Sequence, residues 1–380
     1  METFARILAD SISDRDIRLT TLEVNMPRYL LSEYNTHRLF SRNSASSRAI
    51  PPEKHLHGLL DDPFIPVEFY TRTKGMGQDE PLTGEKREDA ERGYLRARTD
   101  AVYRVLGLLT TREHVRWAIH HRGGREDGLR YVIDEIAEAV KAEDVPDEWL
   151  NVSKSTVNRI LEPYMRHTVI VTSTEWDNFF SLRAPVEREV DLKFPAEPEI
   201  QRVAIAMRQA MRESTPHDLG PGDWHTPMVE GGYVGKIAAE FNELFWPKVS
   251  AGRCARVSFD THDKTEDEQK SLGRAEGLTG SFHLSPTEHT ATPFSEGEWD
   301  AREAMAEEAQ IAYGRAWIDQ RAKDQLIAQT AFKGNFRGWT QLRKLIDHEW
   351  DGRGHMEQRE PWDHAGLPEA LAESQRRGEV

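Results

Sequence analysis

Between a run that alternates like a strand, Ile17–Met26, and the pair Pro51-Pro52 lies the segment that most restricts how this chain can fold. It is Asn35–Arg48 (N-T-H-R-L-F-S-R-N-S-A-S-S-R), and in fourteen residues it holds His37, Arg38, Arg42, Arg48 and four serines, Ser41, Ser44, Ser46 and Ser47. Pro27 ends the strand, Tyr29–Phe40 reads as a helix, and the cationic, hydroxyl-rich stretch becomes the connection that follows. Guanidinium forks, hydroxyls and backbone N–H groups together suit a phosphate or pyrophosphate. The same composition also suits a solvated Arg/Ser loop that caps the next helix.

The charge balance narrows the ligand. The formal net charge is −15 over 380 residues, which makes the chain a poor holder of duplex nucleic acid, whose affinity rests on neutralised phosphates. Local basic clusters on an acidic background suit a small anion. No run approaches the ~20 apolar residues of a membrane span. Met1–Ser11 carries Glu2, Arg6 and Asp10 and does not read as a signal peptide, and the single cysteine, Cys254, excludes an internal disulfide framework. Together these point to a reducing cytoplasm.

Helical spacing of apolar residues runs through Ala97–Leu109, Leu129–Lys141, Glu175–Arg183 and Ala196–Met211, with a helical turn at Val157–Leu161 before Pro163. His167–Thr172 is β-branched and reads as a short buried strand. Residues 72–93, rich in Gly and charge, read as a loop or insertion. Trp299–Phe332 reads as a long, Ala-rich, charge-laced helical stretch facing solvent or bridging subunits, and the chain from Asp351 onward as a polar tail.

Read as His37-Arg38-x-x-Ser41-x-Asn43-x-x-Ser46-x-Arg48, the segment resembles the R-H-R-x-x-S-x-N-E-x-S-x-R signature of flavin-dependent thymidylate synthases, the ThyX family. Thr36 stands in place of the first Arg and Ser44 in place of Glu. Asn158-Arg159-Ile160-Leu161-Glu162-Pro163 is similar to the family's A-R-x-x-L-P, Asn178–Arg183 to N-F-x-x-L-R, and Ala196–Ile200 to A-Q-x-E-I. Arg253–Ser258 and Phe282–His289 look like A-A-R-V-S and H-x-S-P-F-E-H, and Gly334–Gln341 resembles the passage that precedes the signature in ordinary members. In ordinary members these last motifs come before the signature. Here they follow it, an order that looks circularly permuted, as in phage-encoded relatives.

The resemblance covers residues 17–52, 157–211 and 250–344. It implies an α/β (α+β) fold, a mixed sheet flanked by helices, as one catalytic domain over 1–350. That domain would comprise a signature half (17–211), a permuted half (250–344) and a helical insertion at about 296–331, with a tail at 351–380. It implies a homotetramer with shared active sites, in the cytoplasm of a bacterial host if phage-encoded. FAD would be held by His37, Arg38, Ser41, Asn43, Asn178 and His283. The deoxynucleotide would meet Glu33, Ser44, Ser46, Ser47, Arg48, Arg159 and Arg183, with Arg183 and Ser46 the catalytic pair. NADPH would reduce the flavin, and 5,10-methylenetetrahydrofolate would supply the one-carbon unit for C5 of the pyrimidine. A fixed cation at Arg183 would stabilise charge on the base as C5 turns nucleophilic.

dUMP is the family's default substrate. Glu33, Thr36 and Ser44 change polar groups at the expected site, and a carboxylate accepts from an exocyclic amine, so dCMP is the alternative, with a methyl or hydroxymethyl product. Two readings of other classes stand beside it: a non-catalytic relative that binds nucleotide or RNA, and a metal hydrolase using His283, Glu288 and His289. The spacing of those three is not H-E-x-x-H, and no metal is expected. Cys254 reads as packing rather than as a nucleophile. No Rossmann or Walker glycine pattern explains the anion-binding segment.

Overall fold

The computed structural model describes residues 3–72, 74, 80–186, 189–192, 194–236, 244–258, 267–281, 283–312, 327 and 330–346. The chain opens on an antiparallel hairpin, β1 (Phe4–Ser13) and β2 (Arg18–Pro27), with a register shift between Ile7 and Ala9. A 3-10 turn and the single-turn helix α1 (Leu31–Tyr34) lead to β3 (Ser41–Ser44). Five helices follow: α2 (Pro52–Asp61), α3 (Gly84–Leu109), α4 (Arg112–His121), α5 (Arg125–Ala142) and α6 (Lys154–Leu161). The chain then returns as β4 (Arg166–Ser173), followed by α7 (Asp177–Arg183), α8 (Pro198–Glu213) and β5 (His217–Leu219).

Two short strands, β6 (Trp224–His225) and β7 (Tyr233–Val234), precede α9 (Phe245–Cys254) and α10 (Glu268–Gly280). After β8 (Ala291–Pro293) come α11 (Glu296–Ala312) and β9 (Trp339–Gln341). The fold is thus mixed α and β, with eleven α-helices and two sheets among the described residues. Among those residues no helix is long and apolar enough to cross a membrane.

The five-stranded sheet runs β3-β4-β2-β1-β5, and β2 sits at its centre with every residue after Arg18 buried. Period-two alternation decides its faces. Leu22, Val24 and Met26, with Val169 and Val171 of β4, pack under α7 and α8 against Phe179, Ile200, Val203 and Met207. The opposite face carries Thr21, Glu23 and Asn25 beside Thr168, Ile170 and Thr172, and the second sheet, β7-β6-β8-β9, lies on it through His225 of β6.

The five helices inserted between β3 and β4 have their own core around Val102, Leu106, Val115, Val132 and Leu161. Gly128 lets α4 and α5 touch, because a Cβ there would come within 2.5 Å of Ile119 Cα. The C-terminal part is pinned to the opening hairpin: Trp339 Nε1 donates to Ile17 O (3.2 Å), and both residues share a core with Leu19, Phe294, Trp299 and Phe336.

Three expectations need correction. The helix expected over Tyr29–Phe40 stops at Tyr34, because the Thr36 hydroxyl and N–H both donate to Glu33 O and close the turn. The stretch 72–93 is not all loop: α3 begins at Gly84, and its charged first turns are good helix formers. Arg87–Glu91 (3.3 Å) and Glu88–Arg92 (3.5 Å) face water as i,i+4 pairs. The segment expected to face solvent from Trp299 instead starts in the core, since Trp299 and Ala306 are buried. Most of 313–331 and the tail 351–380 lie outside the described residues.

Candidate functional site

Strand β3 carries Ser41, Asn43 and Ser44 and divides most of the other expected site residues into two groups, one at each end, about 10 Å apart by the rise of a strand. At the leading end, α1 ends on Tyr34 and the turn lowers His37 into an aromatic socket. Its ring stacks on Phe40 (5.6 Å between centroids) and meets the edge of Phe179 (4.9 Å). Burial, with Arg183 and Arg42 nearby, pushes the His37 pKa down to about 4, so the ring is neutral at physiological pH. Its Nε2 is buried without a hydrogen-bond partner.

Arg42 braces the turn by donating to Tyr34 O (3.2 Å) and His37 O (3.0 Å). Helix α7 brings Arg183 beside the same turn, ion-paired with Glu33, and leaves Asn178 exposed. Burial and the neighbouring Glu33 and Glu199 carboxylates raise the pKa of Glu197. This end therefore holds the guanidinium groups of Arg183 and Arg42 with several carboxylates and a neutral imidazole. Arg38 is exposed, as are Leu39 (42%) and Leu182 (50%).

The trailing end is built differently. Asn158 Nδ2 donates to Ser47 O (2.5 Å) and Ile50 O (2.9 Å), which lays α6 along the turn that carries Ser46–Arg48. The Ser47 hydroxyl donates to Glu162 (2.8 Å), and Glu162 also pairs with Arg28 (3.0 Å). Ser47 is therefore buried and engaged. Ser46 Oγ accepts from Arg48 N (3.3 Å), while the Arg48 and Arg159 side chains are exposed on neighbouring elements. Glu162 was missed as a contributor, although it stands where the resembled motif has Leu.

Strand β3 itself is where the distant islands of sequence meet. Ser41 Oγ accepts from Asn335 Nδ2 (3.1 Å) and Gln341 Nε2 (3.0 Å), so this fully buried hydroxyl joins the two halves of the chain. Asn43 Nδ2 donates to Cys254 O (2.9 Å), and Val257 packs with Ala45 and Ile170. Ser44 pairs with Val169 across the β3–β4 ladder. His283 is exposed, and its backbone N–H donates to Leu278 O (2.9 Å).

The three residues of the metal reading go to different partners. His283 faces solvent, Glu288 pairs with Arg343, and buried His289 bonds the Thr172 hydroxyl through Nδ1 (2.8 Å). Among the described residues no group of three or more His, Cys, Asp or Glu is arranged to hold a metal ion. Cys254 is fully buried, and burial pushes its thiol up to about 12, which makes it inert packing. Comparison with known proteins adds no relative: no family model, curated protein or solved structure matches the chain.

Proposed function

We propose that the chain transfers a one-carbon unit from 5,10-methylenetetrahydrofolate to C5 of a pyrimidine deoxynucleotide, dUMP by default, with FAD as cofactor and NADPH as reductant. The observation that carries this reading is the meeting of five separated sequence islands on β3 and on the turns at its two ends. Residues near 43 and 254, 41 and 335, 47 and 158, and 33 and 183 are hydrogen-bonded or ion-paired, and these are the segments that resemble the family's motifs. A chance likeness of scattered short motifs gives no reason for them to assemble.

The leading end fits the flavin. His37 offers an unpartnered, neutral ring nitrogen, with exposed Arg38 and Asn178 near it in sequence or space, and His283 would join them. When bound, the flavin supplies the redox and carbon-transfer chemistry. Ser41 and Asn43 would act by holding β3 in place. Arg48, Arg159 and Ser46 would take the nucleotide phosphate, and Arg183 would balance negative charge on the ring as C5 attacks. Cys254 supplies no thiolate for attack on C6. Site residues at both ends of β3, with exposed Leu39 and Leu182 beside one of them, favour an active site completed by a second subunit, as in a homotetramer.

The Glu33–Arg183 pair favours dCMP as the second substrate reading. It sets a carboxylate at the expected ring site, an acceptor for an exocyclic amine. The test is the visible spectrum of the purified protein, then tritium release from C5-labelled dUMP and dCMP with methylenetetrahydrofolate and NADPH. Bound flavin with release from one nucleotide supports the reading and names the substrate. A colourless protein that takes up no FAD and releases nothing overturns it in favour of a nucleotide- or RNA-binding module.

A further inference from the structure

Below the trailing end of β3, between the sheet and helix α2, lies a cavity of about 390 Å³, within the range of small-molecule sites (~300–1,000 Å³). Its wall includes Asn25 from β2, His55 from α2 and His167 from β4. Asn25 and His167 are only 3% and 5% exposed, yet Asn25 Oδ1 and both ring nitrogens of His167 have no well-aligned hydrogen-bond partner. The Met26 backbone, opposite His167 in the β2–β4 ladder, lies close enough to the ring to favour its protonated form, so one of the two nitrogens is met weakly and out of line. His55 Nε2 is likewise buried and unpartnered.

Leaving such an atom unmet destabilises a fold, and buried polar groups in native proteins are overwhelmingly bonded. Asn25 Oδ1, His55 Nε2 and at least one nitrogen of His167, together in the wall of one cavity, need an explanation. Burial and Arg28 hold His55 near pKa 4 and His167 near 3, so both rings are neutral and each offers one donor and one acceptor. The floor is therefore an uncharged set of donors and acceptors, which suits the polar edge of a heterocycle better than a bare anion.

The outer part of the cavity has a different character. Lys54 is exposed there, and Arg166 lies beside it in the lining with its guanidinium over Phe64 (5.4 Å) and Nη1 donating to Thr3 (2.9 Å). Arg28 adds a third cation, paired with Glu162, and Asp62 is the acidic residue of the lining. Cations outnumber carboxylates in this lining, on a chain whose net charge is −15.

We infer that this cavity, which adjoins the Ser46–Arg48 turn through Ser47 and lies away from the Glu33–Arg183 end of β3, is a ligand site of its own for a planar heterocycle with an anionic tail. The polar edge of the ring meets Asn25, His55 and His167, and the tail runs out past Lys54 and Arg166. A nucleoside monophosphate and a reduced pterin with a glutamate tail share this chemistry. The site stands whether or not the proposed one-carbon transfer is correct.

Calorimetric titration of the full chain with dUMP, dTMP and 5-formyltetrahydrofolate tests it. The comparison is between the Arg183→Ala chain and the same chain carrying Lys54→Glu or His55→Leu. Lys54 is exposed, so its replacement keeps the test valid if His55→Leu does not fold. At least one probe is expected to bind Arg183→Ala, with a loss of tenfold or more in either cavity variant, and the probe that binds separates nucleotide from pterin. No binding of any probe at 1 mM to Arg183→Ala, or changes below tenfold in every cavity variant that folds, overturns the inference.

Discussion

Strand β4 carries a histidine cluster at each end, and the two are built to opposite specifications. At the Thr172 end, a buried relay runs from Ser11 to His225 Nδ1 (2.8 Å), His225 Nε2 to Thr21 (2.7 Å), Thr21 to Thr172 (2.7 Å) and Thr172 to His289 Nδ1 (2.8 Å). One ring nitrogen, His289 Nε2, is left open. At the other end, His167, His55 and Asn25 line a cavity and leave polar atoms without a well-aligned partner. All four imidazoles are held neutral, chiefly by burial. The difference is hydrogen bonding, and it separates a set that joins two sheets from a set that offers its bonds to something else. Low pKa alone does not distinguish them.

Acid should produce the largest effect, because it strikes both clusters at once. His37 and His55 titrate near 4 in the fold and His167, His225 and His289 near 3, all below the usual value of 6.5. Above pH 6.5 these rings are neutral folded and unfolded and cost nothing. As pH falls below 6.5 the unfolded chain takes up protons that the fold refuses, at up to ~1.4 kcal/mol per histidine per pH unit, until the folded values are reached. Cooperative acid unfolding is expected between pH 6 and 4, followed by circular dichroism. Unchanged stability at pH 4 would mean that these rings are not buried neutral.

Substitutions then separate the clusters. His225→Leu takes the Ser11 hydroxyl's partner and one of the two partners of the Thr21 hydroxyl, and should destabilise the fold by ~3 kcal/mol. His55→Leu removes an unmet nitrogen and should change stability by less than ~1 kcal/mol. Urea midpoints measure both, and equal losses would erase the distinction between the clusters. Arg183→Ala acts away from both. Its pair with Glu33 is only partly buried, so the stability loss should stay within ~1 kcal/mol, while tritium release falls by a factor of 100 or more under the proposed function.

The smallest effect sharpens the comparison. Cys254 packs with Ala45, Val257 and Ile170, and Ile170 lies on β4 between the two clusters. The native thiol should resist a disulfide reagent, and His225→Leu should expose it faster than His55→Leu does. The reverse order would place the looser layer on the cavity side.

Local regularities in the chain found most elements of the site but not β3, whose residues read as a connecting loop. Strand alternation over Ile17–Met26, helical spacing over Glu175–Arg183 and Ala196–Met211, and β-branching over His167–Thr172 all correspond to observed elements, because each pattern reports burial within a few residues. β1, α4 and the short strands β6, β7 and β8 were not anticipated, whereas β9 lies in the passage expected to run from strand to helix. β1 mixes charge into a hairpin strand, and two- or three-residue strands have no period to read.

What each polar side chain does was decided by tertiary structure. Ser41 and Ser47 look alike in the sequence as phosphate ligands. Ser41 is bonded to residues 294 and 300 positions away, and Ser47 to Glu162. Nothing in the segment Asn35–Arg48 announces that Arg183 will meet Glu33, or that His167 will lack a well-aligned partner while His289 finds Thr172. The sequence by itself determined that an anion-competent, hydroxyl-rich turn would sit between a buried strand and a helical layer. Which of its groups remain available to a ligand depends on partners from remote parts of the chain, because a hydrogen bond is set by distance and angle in space and not by spacing along the backbone.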